Sequence, residues 1–391
     1  MPQVKPQLEA MARIAVIGVG GGGTSAVNRM ILSRIKGIEF MVANTDLQAL
    51  HHSNASKKLH IGKTVTRGLG AGMDPELGRR AAEESQNEIR EALQNMDMVF
   101  VTCGLGGGTG SGASSVVAEI ARENGALTVA VVTKPFSFEG AQRMDIANRA
   151  YEELVERVDA IITIPNDRVL QLVDKKAPLL QAFGLVDDIL RQGVQGISEI
   201  ITTPAEINVD FADVRTIMRN AGSALMGIGV AKGDNRAAEA AKAAVASPLL
   251  DLSIDGARGI LFTIAGSKDL SMYEVDEAAK IITGSADDSA RVIFGAVIDP
   301  ELKDEVKITV IATGFDGRQH AIREEKQERQ FYASGRNANA YAGSAIAEES
   351  IKTSSDSIRK PVTSAAAKSV STEESDDELE IPAFIRKRMG L

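Results

Sequence analysis

Hydrophobic residues in the first half of the chain form short continuous runs, and amphipathic stretches separate them. The runs lack the strict alternation of a half-exposed strand. Strands of a parallel sheet are covered on both faces and have continuous apolar sequences of this kind. The pattern therefore predicts a doubly wound parallel-sheet α/β domain. Its predicted strands cover residues 13–18, 38–44, 98–102, 127–133 and 159–165.

A helical period follows. Between Pro178 and Thr203 apolar residues recur about every 3.6 positions, and no second proline interrupts them. This stretch predicts one long central helix of about 39 Å.

The remaining chain divides into two parts. Residues 222–317 contain three apolar runs around a helical pattern and predict a smaller α+β C-terminal domain. Residues 318–378 are polar and rich in Ser, Ala and charged side chains, so they cannot bury enough apolar area to fold. We expect them to form a disordered linker in the tail.

Composition agrees with a globular protein: 44% of the 391 residues are hydrophobic. No stretch of about 18 apolar residues offers a direct membrane span, and residues 1–10 are polar, as in a flexible N-terminus without a signal peptide. We therefore expect a cytoplasmic protein.

The net charge, the cysteine count and the histidine spacing exclude some classes of partner and binding site. The formal net charge of −9 argues against nucleic acid as the main partner. The single cysteine, Cys103, excludes an internal disulfide, and we expect it to be a small apolar residue that ends a buried strand. The four histidines show no zinc spacing. We expect no metal site built from side chains.

Three glycine-rich stretches are candidate phosphate sites: residues 18–23, 68–72 and 104–112. The longest links a predicted strand to a predicted helix, so its backbone N–H groups and the helix dipole can hold an anion. No lysine follows its glycines, which excludes a P-loop.

One alternative is an NAD-dependent Rossmann oxidoreductase. Residues 18–23 satisfy G-x-G-x-x-G, and Asp46 follows at about the distance that a dinucleotide site requires. Such a site needs only one fingerprint, however, and would leave residues 104–112 without a ligand. Three glycine turns around one polyphosphate account for all three stretches.

Together with other motifs, these stretches resemble the FtsZ family of bacterial tubulin homologues over about residues 11–317. The resemblance implies a tubulin-like fold and a cell division GTPase that binds GTP or GDP. It also implies head-to-tail polymerisation into protofilaments at the midcell division ring, hydrolysis at the contact between subunits, and Mg²⁺ held mainly through nucleotide phosphates and water. The motifs are residues 18–23, 43–46, 68–72, 106–112, 133–139, 164–167, 208–213 and 381–386.

The resemblance further implies a set of nucleotide contacts. In this sequence two positions depart from the family pattern: Ser25 stands where most relatives carry Asn, and Asp187 where many carry Asn. The implied contacts are Gly20, Gly21, Gly22, Ser25, Asn44, Asp46, Gly70, Ala71, Gly72, Gly104, Gly106, Gly107, Gly108, Thr109, Gly110, Thr133, Glu139, Arg143, Asn166, Phe183 and Asp187.

Phe183 and Asp187 also suit a purine on chemical grounds. They are four residues apart, so an aromatic ring and a carboxylate share one helix face. A carboxylate accepts from guanine N1–H and N2 together, whereas adenine N1 is itself an acceptor. Two alternatives stay open: Asp188 in place of Asp187, and Phe183 as a core residue beside a solvated acid.

Asp210 and Asp213 are candidate catalytic acids, and the resemblance adds Asn208. The predicted helix separates them from the base site by roughly 35 to 40 Å, so they cannot act on the nucleotide of their own chain. As general bases they would serve the next molecule, which couples catalysis to assembly. The alternative makes Asp210 a helix N-cap and Asp213 a first-turn acid.

The C-terminal peptide, residues 379–391, carries an apolar anchor followed by basic residues, Ile381–Arg388, after an acidic run. Short motifs of this form fold on binding to a groove. By resemblance the partner is a membrane tether such as FtsA, with division regulators as further partners. A plasmid-segregation filament protein is the nearer alternative, and this peptide argues against it.

These predictions divide the chain into seven segments. They are a flexible N-terminus (1–10), a GTP-binding domain (11–177), a central helix (178–203), a catalytic loop with the following helix (204–221), a C-terminal α+β domain (222–317), a linker (318–378) and a partner-binding peptide (379–391).

Overall fold

A computed structural model describes residues 12–171, 178–202, 209–247, 254–299 and 302–315. The predicted N-terminus, linker and C-terminal peptide, as well as Asn208, lie outside the described residues. The strands are β1 (Ile14–Val19), β2 (Ile38–Asn44), β3 (Lys57–His60), β4 (Met98–Gly104), β5 (Leu127–Lys134), β6 (Ala160–Pro165), β7 (Gly222–Lys232), β8 (Gly259–Gly266), β9 (Arg291–Ile298) and β10 (Glu305–Thr313). The helices are α1 (Gly20–Leu32), α2 (Leu47–His51), α3 (Lys63–Thr66), α4 (Pro75–Glu84), α5 (Gln86–Ala92), α6 (Gly108–Glu123), α7 (Ala141–Val155), α8 (Asn166–Leu170), α9 (Leu179–Thr202), α10 (Phe211–Met218), α11 (Arg236–Val245) and α12 (Met272–Thr283).

The strands form one sheet in the order β3-β2-β1-β4-β5-β6-β7-β10-β8-β9. Strands β1 to β6 are all parallel, whereas β10 runs antiparallel to both β7 and β8. The prediction of a doubly wound α/β fold with a smaller C-terminal part is confirmed. The strand order reverses beside β1, and in such sheets ligands bind outside the carboxyl ends of the strands at this point.

Continuous apolar strands supply two cores, one on each face of the parallel sheet. Ile14 and Val16 point to the face that α1 and α9 cover, whereas Ala15 and Ile17 point to the opposite face. A half-exposed strand would show alternation, but β1 is buried at every position. Helix α9, predicted over 178–203, has 24 residues and a length of ~36 Å. Its buried stripe contains Val186, Ile189, Leu190, Val194 and Ile197.

A third core lies under α11 and α12, against β8 and β10. The sheet continues into this part through a short junction, because β6 and β7 pair over only three residues, Ala160 to Ile162. Arg236, the first residue of α11, is buried and pairs with Glu274 at 2.8 Å and Asp269 at 3.0 Å.

No helix among the described residues has the length and apolar character needed to cross a membrane.

Helices α4 and α6 pack in direct backbone contact, and two glycines permit it. A Cβ at Gly112 would lie 1.8 Å from the Pro75 carbonyl oxygen, and one at Gly78 would lie 2.4 Å from the Gly108 oxygen. This contact holds the turn before α4 against the first residues of α6.

We expect Gly112→Ala to lower the free energy of unfolding by about 1–3 kcal/mol, since α4 has to move away from α6 to admit one methyl group. The control is Gly21→Ala on α1, where a Cβ meets no atom within 4 Å. Urea unfolding of both variants provides the comparison. Equal midpoints for Gly112→Ala and the wild type would contradict this account of the contact.

Candidate functional site

A cavity of about 570 Å³ lies at the carboxyl ends of β1, β4 and β5, beside the point where the strand order reverses. All three glycine-rich stretches reach it. The sequence-predicted residues that line it are Gly21, Gly22, Asn44, Asp46, Gly70, Ala71, Gly72, Gly104, Gly106, Gly107, Gly108, Thr109, Gly110, Thr133, Glu139, Arg143 and Asn166.

The turn between β4 and α6 forms one wall. Gly107 is the N-cap of α6 and supplies no capping side chain, so the first N–H groups of the helix are available to an anion. Gly106 has a φ of +97°, and a Cβ there would lie 3.0 Å from the Arg143 carbonyl oxygen. The turn therefore requires glycine for both its conformation and its packing.

The turn between β1 and α1 forms the adjacent wall. Its N-cap, Val19, also offers no capping side chain. A Cβ at Gly20 would lie 2.8 Å from the Gly110 N atom, and one at Gly22 would lie 3.2 Å from the Gly104 N atom. The two turns are thus in backbone contact, and the N-termini of α1 and α6 lie side by side at the cavity.

The third turn, residues 68–74, closes the cavity from the side of β2. Gly68, Gly70 and Gly72 all have positive φ angles, of 80°, 85° and 51°. Backbone hydrogen bonds tie the turn to the end of β2, from Gly70 N to Thr45 O at 3.3 Å and from Leu47 N to Gly68 O at 3.2 Å.

Polar side chains around the cavity are largely engaged with the protein itself. The hydroxyls of Thr45 and Thr109 lie 2.6 Å apart. Asp46 caps α2 by accepting from Gln48 N at 2.8 Å. Asn166 is buried, and within the described part of the chain its Oδ1 has no partner, which leaves an acceptor on the cavity wall.

Glu139 and Arg143 form the ion pair that their spacing suggests. Glu139 also accepts from Phe136 N at 2.9 Å, which fixes the carboxylate at the mouth of the cavity. Two further lining residues, Ala49 and Met73, lie outside all the sequence motifs and carry no polar signal. Three others, Val19, Leu105 and Pro135, lie within the motifs but were not among the implied contacts.

The predicted base-contacting residues lie apart from the cavity wall. Ser25 is exposed on α1, and Asp187 pairs with Arg29 of α1 at 3.2 Å. Burial raises the pKa of Asp187 above its usual value, and the Arg29 guanidinium opposes that shift. The Phe183 side chain lies outside the described part of the structure. Asp188 is engaged on its own helix, accepting from Arg191 at 2.7 Å and Gln192 at 2.8 Å.

Arg29 was missed from the sequence, although it follows Ser25 by one helical turn. The Cys103 thiol is buried at the end of β4, and burial raises its pKa to about 12. Such a thiol is unreactive, in line with the structural role expected for it.

The candidate catalytic acids are far from this cavity. Asp210 occupies the N-cap position of α10, yet its side chain makes no capping hydrogen bond, and both it and Asp213 are exposed. The residues after α10 reach the amino end of β6, where Gly222 N donates to Asp159 O at 3.0 Å. Asn166 follows the carboxyl end of the same strand. The acids and the cavity therefore lie at opposite ends of the parallel strands.

Among the described side chains, no group of three or more His, Cys, Asp or Glu is placed to hold a metal ion.

Comparison with known proteins agrees with this architecture. Residues 13–174 match the model "Tubulin/FtsZ family, GTPase domain", and residues 222–316 match "FtsZ family, C-terminal domain". The structure is similar to an empty FtsZ dimer from M. jannaschii, with a TM-score of 0.76 and 45% identity, covering 79% of this chain and 90% of that one.

A more distant similarity is to CetZ2 from Haloferax volcanii, solved as a GTPγS-bound protofilament, with a TM-score of 0.66 and 22% identity. It covers 82% of this chain and 99% of that one. At this identity the match shows the shared fold alone. The 45% identity to FtsZ over most of both chains shows more. The chain belongs to the FtsZ family.

Proposed function

We propose that this chain is a cytoplasmic cell division GTPase that polymerises head to tail into protofilaments at the midcell division ring. The observation that carries the proposal is the placement of two groups at opposite ends of the parallel strands. The glycine-lined cavity lies at the carboxyl ends, and two exposed carboxylates lie near the amino ends. Each copy then holds half of a hydrolytic site at each end. A head-to-tail contact unites the halves.

The phosphates of GTP would lie between the N-termini of α1 and α6. Uncapped N–H groups and two helix dipoles favour an anion there. Thr109 adds a hydroxyl, while Glu139 and Arg143 would contact the ribose and phosphates at the cavity mouth. Mg²⁺ would be held mainly by the phosphates and water, because the described cavity supplies no cluster of ligands.

The base would extend from the cavity toward α9. Asp187, with Phe183 of the same helix, is the acceptor that distinguishes guanine from adenine. Arg29 lies 3.2 Å from this carboxylate, so guanine has to share Asp187 with the guanidinium or displace it. Ser25 is one turn away on α1, where its short side chain would reach the base through water.

Hydrolysis would occur where the surface that carries Asp210 and Asp213, near the amino ends of the strands, meets the cavity of the next copy. A carboxylate can orient and deprotonate the attacking water. Asn208 is proposed to assist. Such a contact joins two different surfaces and does not close on itself, so it generates a filament.

The proposed partners are further copies of the chain and a membrane tether such as FtsA, with division regulators, at Ile381–Arg388. An apolar anchor of this length with a basic end suits a groove on another protein. Three cations are too few for stable attachment to lipid alone.

Two other functions make different predictions. A plasmid-segregation filament protein would share GTP-dependent assembly but have no use for a tether peptide. An NAD-dependent oxidoreductase fits the strand order of β1 to β6, yet it would bind dinucleotide and show no GTP-dependent light scattering. Identifying the nucleotide bound to the purified protein distinguishes this last alternative from the two GTP-dependent filament proteins.

The first prediction tests catalysis across the contact. Asp213→Ala should bind GTP yet hydrolyse it at least about a hundredfold more slowly, because it lacks the proposed base. Gly107→Asp should fold, since a Cβ there meets no atom within 4 Å, but its carboxylate should repel the phosphates. Phosphate release is the measurement.

Each variant alone should hydrolyse GTP far more slowly than the wild type, whereas their mixture should recover a fraction of the wild-type rate. In the mixture, the acids of Gly107→Asp copies meet the nucleotide of Asp213→Ala copies. A mixture as inactive as its components would exclude catalysis in trans, and full activity of Asp213→Ala alone would exclude Asp213 as the base.

A second prediction concerns the base. Asp187 has to be ionised to accept from guanine, and its raised pKa brings protonation to higher pH than for an ordinary Asp. Wild-type affinity for GTP should therefore begin to fall at a higher pH on acidification than it would with an ordinary carboxylate, and Asp187→Asn should flatten this dependence. Calorimetric titration measures it; parallel pH profiles for the two proteins would argue against Asp187 as the acceptor.

A third prediction concerns the tether. Removing residues 381–391 should leave GTP-dependent pelleting unchanged, because the proposed filament contacts lie elsewhere, and should abolish co-sedimentation with the tether. Replacing Arg386, Lys387 and Arg388 by Gln provides a milder control that keeps the apolar anchor. Loss of pelleting after truncation would contradict this division of roles.

A further inference from the structure

A second, smaller cavity of about 120 Å³ lies at the amino ends of β5 and β6, at the other end of these strands from the glycine-lined cavity. Its walls come from the C-terminal ends of α6 and α10 and from the residues that lead into the two strands. The polar side chains that line it are Arg122, Asp159, Arg215, Arg219 and Asn220. Three guanidiniums thus face this cavity together with one carboxylate, and we call it the arginine pocket.

The carboxylate in the arginine pocket is already engaged by backbone. Asp159 is buried, and it accepts from Thr128 N at 2.9 Å and from Asn220 N at 3.4 Å. It offsets one of the three positive charges without pairing with any of the guanidiniums. The lining therefore keeps a net positive charge.

The acids beside the arginine pocket pair with other arginines. Glu119 of α6 lies 3.6 Å from Arg157, and Glu123 lies 2.7 Å from Arg90. Within the described part of the chain, no carboxylate forms an ion pair with a guanidinium of the pocket. The positive charge is therefore not neutralised locally.

Neutral acceptors fix two of the guanidiniums in place. Arg122 donates to Glu156 O at 3.3 Å and to Asn220 Oδ1 at 2.7 Å. Arg215 donates to Gly125 O at 3.2 Å. A guanidinium has five N–H donors, and these contacts use two of them at Arg122 and one at Arg215. Because both side chains are already ordered, a ligand that binds them loses little affinity to their immobilisation.

Further donors remain at the pocket. The side chain of Arg219 has no hydrogen-bond partner among the described residues. The side-chain oxygen of Asn220 accepts from Arg122, so the Nδ2 group of the same amide keeps its two donors. The pocket thus combines donors from three guanidiniums and one amide.

The helix ends explain only part of this arrangement. Arg122 and Arg215 lie in the last turns of α6 and α10, where a cation interacts favourably with the helix dipole and with terminal carbonyls. That effect accounts for one cation at each helix end. It gives no reason for a third arginine and an amide to face the same cavity.

We propose that the arginine pocket binds a tetrahedral oxyanion of the phosphate class. Guanidinium groups match such an anion with paired N–H donors, and charge-assisted hydrogen bonds are the strong ones. The volume of about 120 Å³ is well below the roughly 300–1,000 Å³ that larger organic ligands occupy. The pocket therefore suits the free ion and excludes a nucleotide.

The pocket shares α10 with the proposed catalytic acids. Asp213 and Arg219 are six residues apart, or ~9 Å along a helix axis. Under the proposed function, the phosphate released at the contact would have a binding site beside the same helix. Binding itself needs neither hydrolysis nor assembly, so this inference goes beyond the proposed function and can be tested with GDP.

Calorimetric titration of the full chain with inorganic phosphate, in the presence of GDP and at constant ionic strength, tests the pocket. Arg219→Gln should weaken phosphate binding at least about tenfold, because it removes a charged donor. Arg215→Lys keeps the charge but loses the paired donors, so it should weaken binding less. Arg80→Gln, at an exposed arginine of α4, is the matched control and should bind as the wild type does.

Two further measurements identify the site and the source of the phosphate group. Gly107→Asp blocks the glycine-lined cavity and should leave this binding unchanged. Vesicles of phosphatidylglycerol present phosphate as a lipid headgroup, and the wild type and Arg219→Gln should co-sediment with them equally. Circular dichroism confirms that each variant folds. A wild-type chain that binds no free phosphate, equal binding by all the arginine variants, or loss of binding in Gly107→Asp would each overturn the proposal.

Discussion

The structure depends on close backbone contacts that only glycine permits. Around the cavity, Gly20 touches Gly110, and Gly112 touches Pro75, at distances that exclude a methyl group. The first contact brings the N-termini of α1 and α6 together, and the second packs α4 against α6. Two positive helix ends in proximity repel each other, and a bound polyphosphate offsets that repulsion. The protein should therefore gain stability from its nucleotide by mass action, and the packing of α4 against α6 is part of the same arrangement.

Much of the fold could be predicted from the sequence because its signals are local. Continuous apolar runs identified β1, β2, β4, β5 and β6, whereas β3, which begins with two lysines, was not predicted. A 3.6-residue period indicated the helix α9. The joining of β7 to β6 could not be predicted. It rests on three residue pairs between distant segments, and no periodicity records which strands become neighbours.

The candidate site likewise has one part that could be predicted from the sequence and one part that could not. The wall that the three glycine-rich turns form consists of backbone, so the glycine pattern indicated its residues. The family resemblance, and not the glycine pattern, supplied the other lining residues that were predicted, namely Asn44, Asp46, Thr133, Glu139, Arg143 and Asn166. The proposed base side depends on two helices meeting. The pairing of Arg29 with Asp187 has no signal in either helix, and Asp187 and Asp188 were equivalent until their partners were known. Position alone was also ambiguous for Asp210, which is the N-cap of α10 without making the capping bond.

The two edge strands of the sheet are unlike. β3 has four residues and carries two lysines, features that discourage pairing with another chain, whereas β9 has eight residues and contains no lysine. Lateral growth of the sheet through β3 is therefore disfavoured, whereas a head-to-tail contact can repeat without limit.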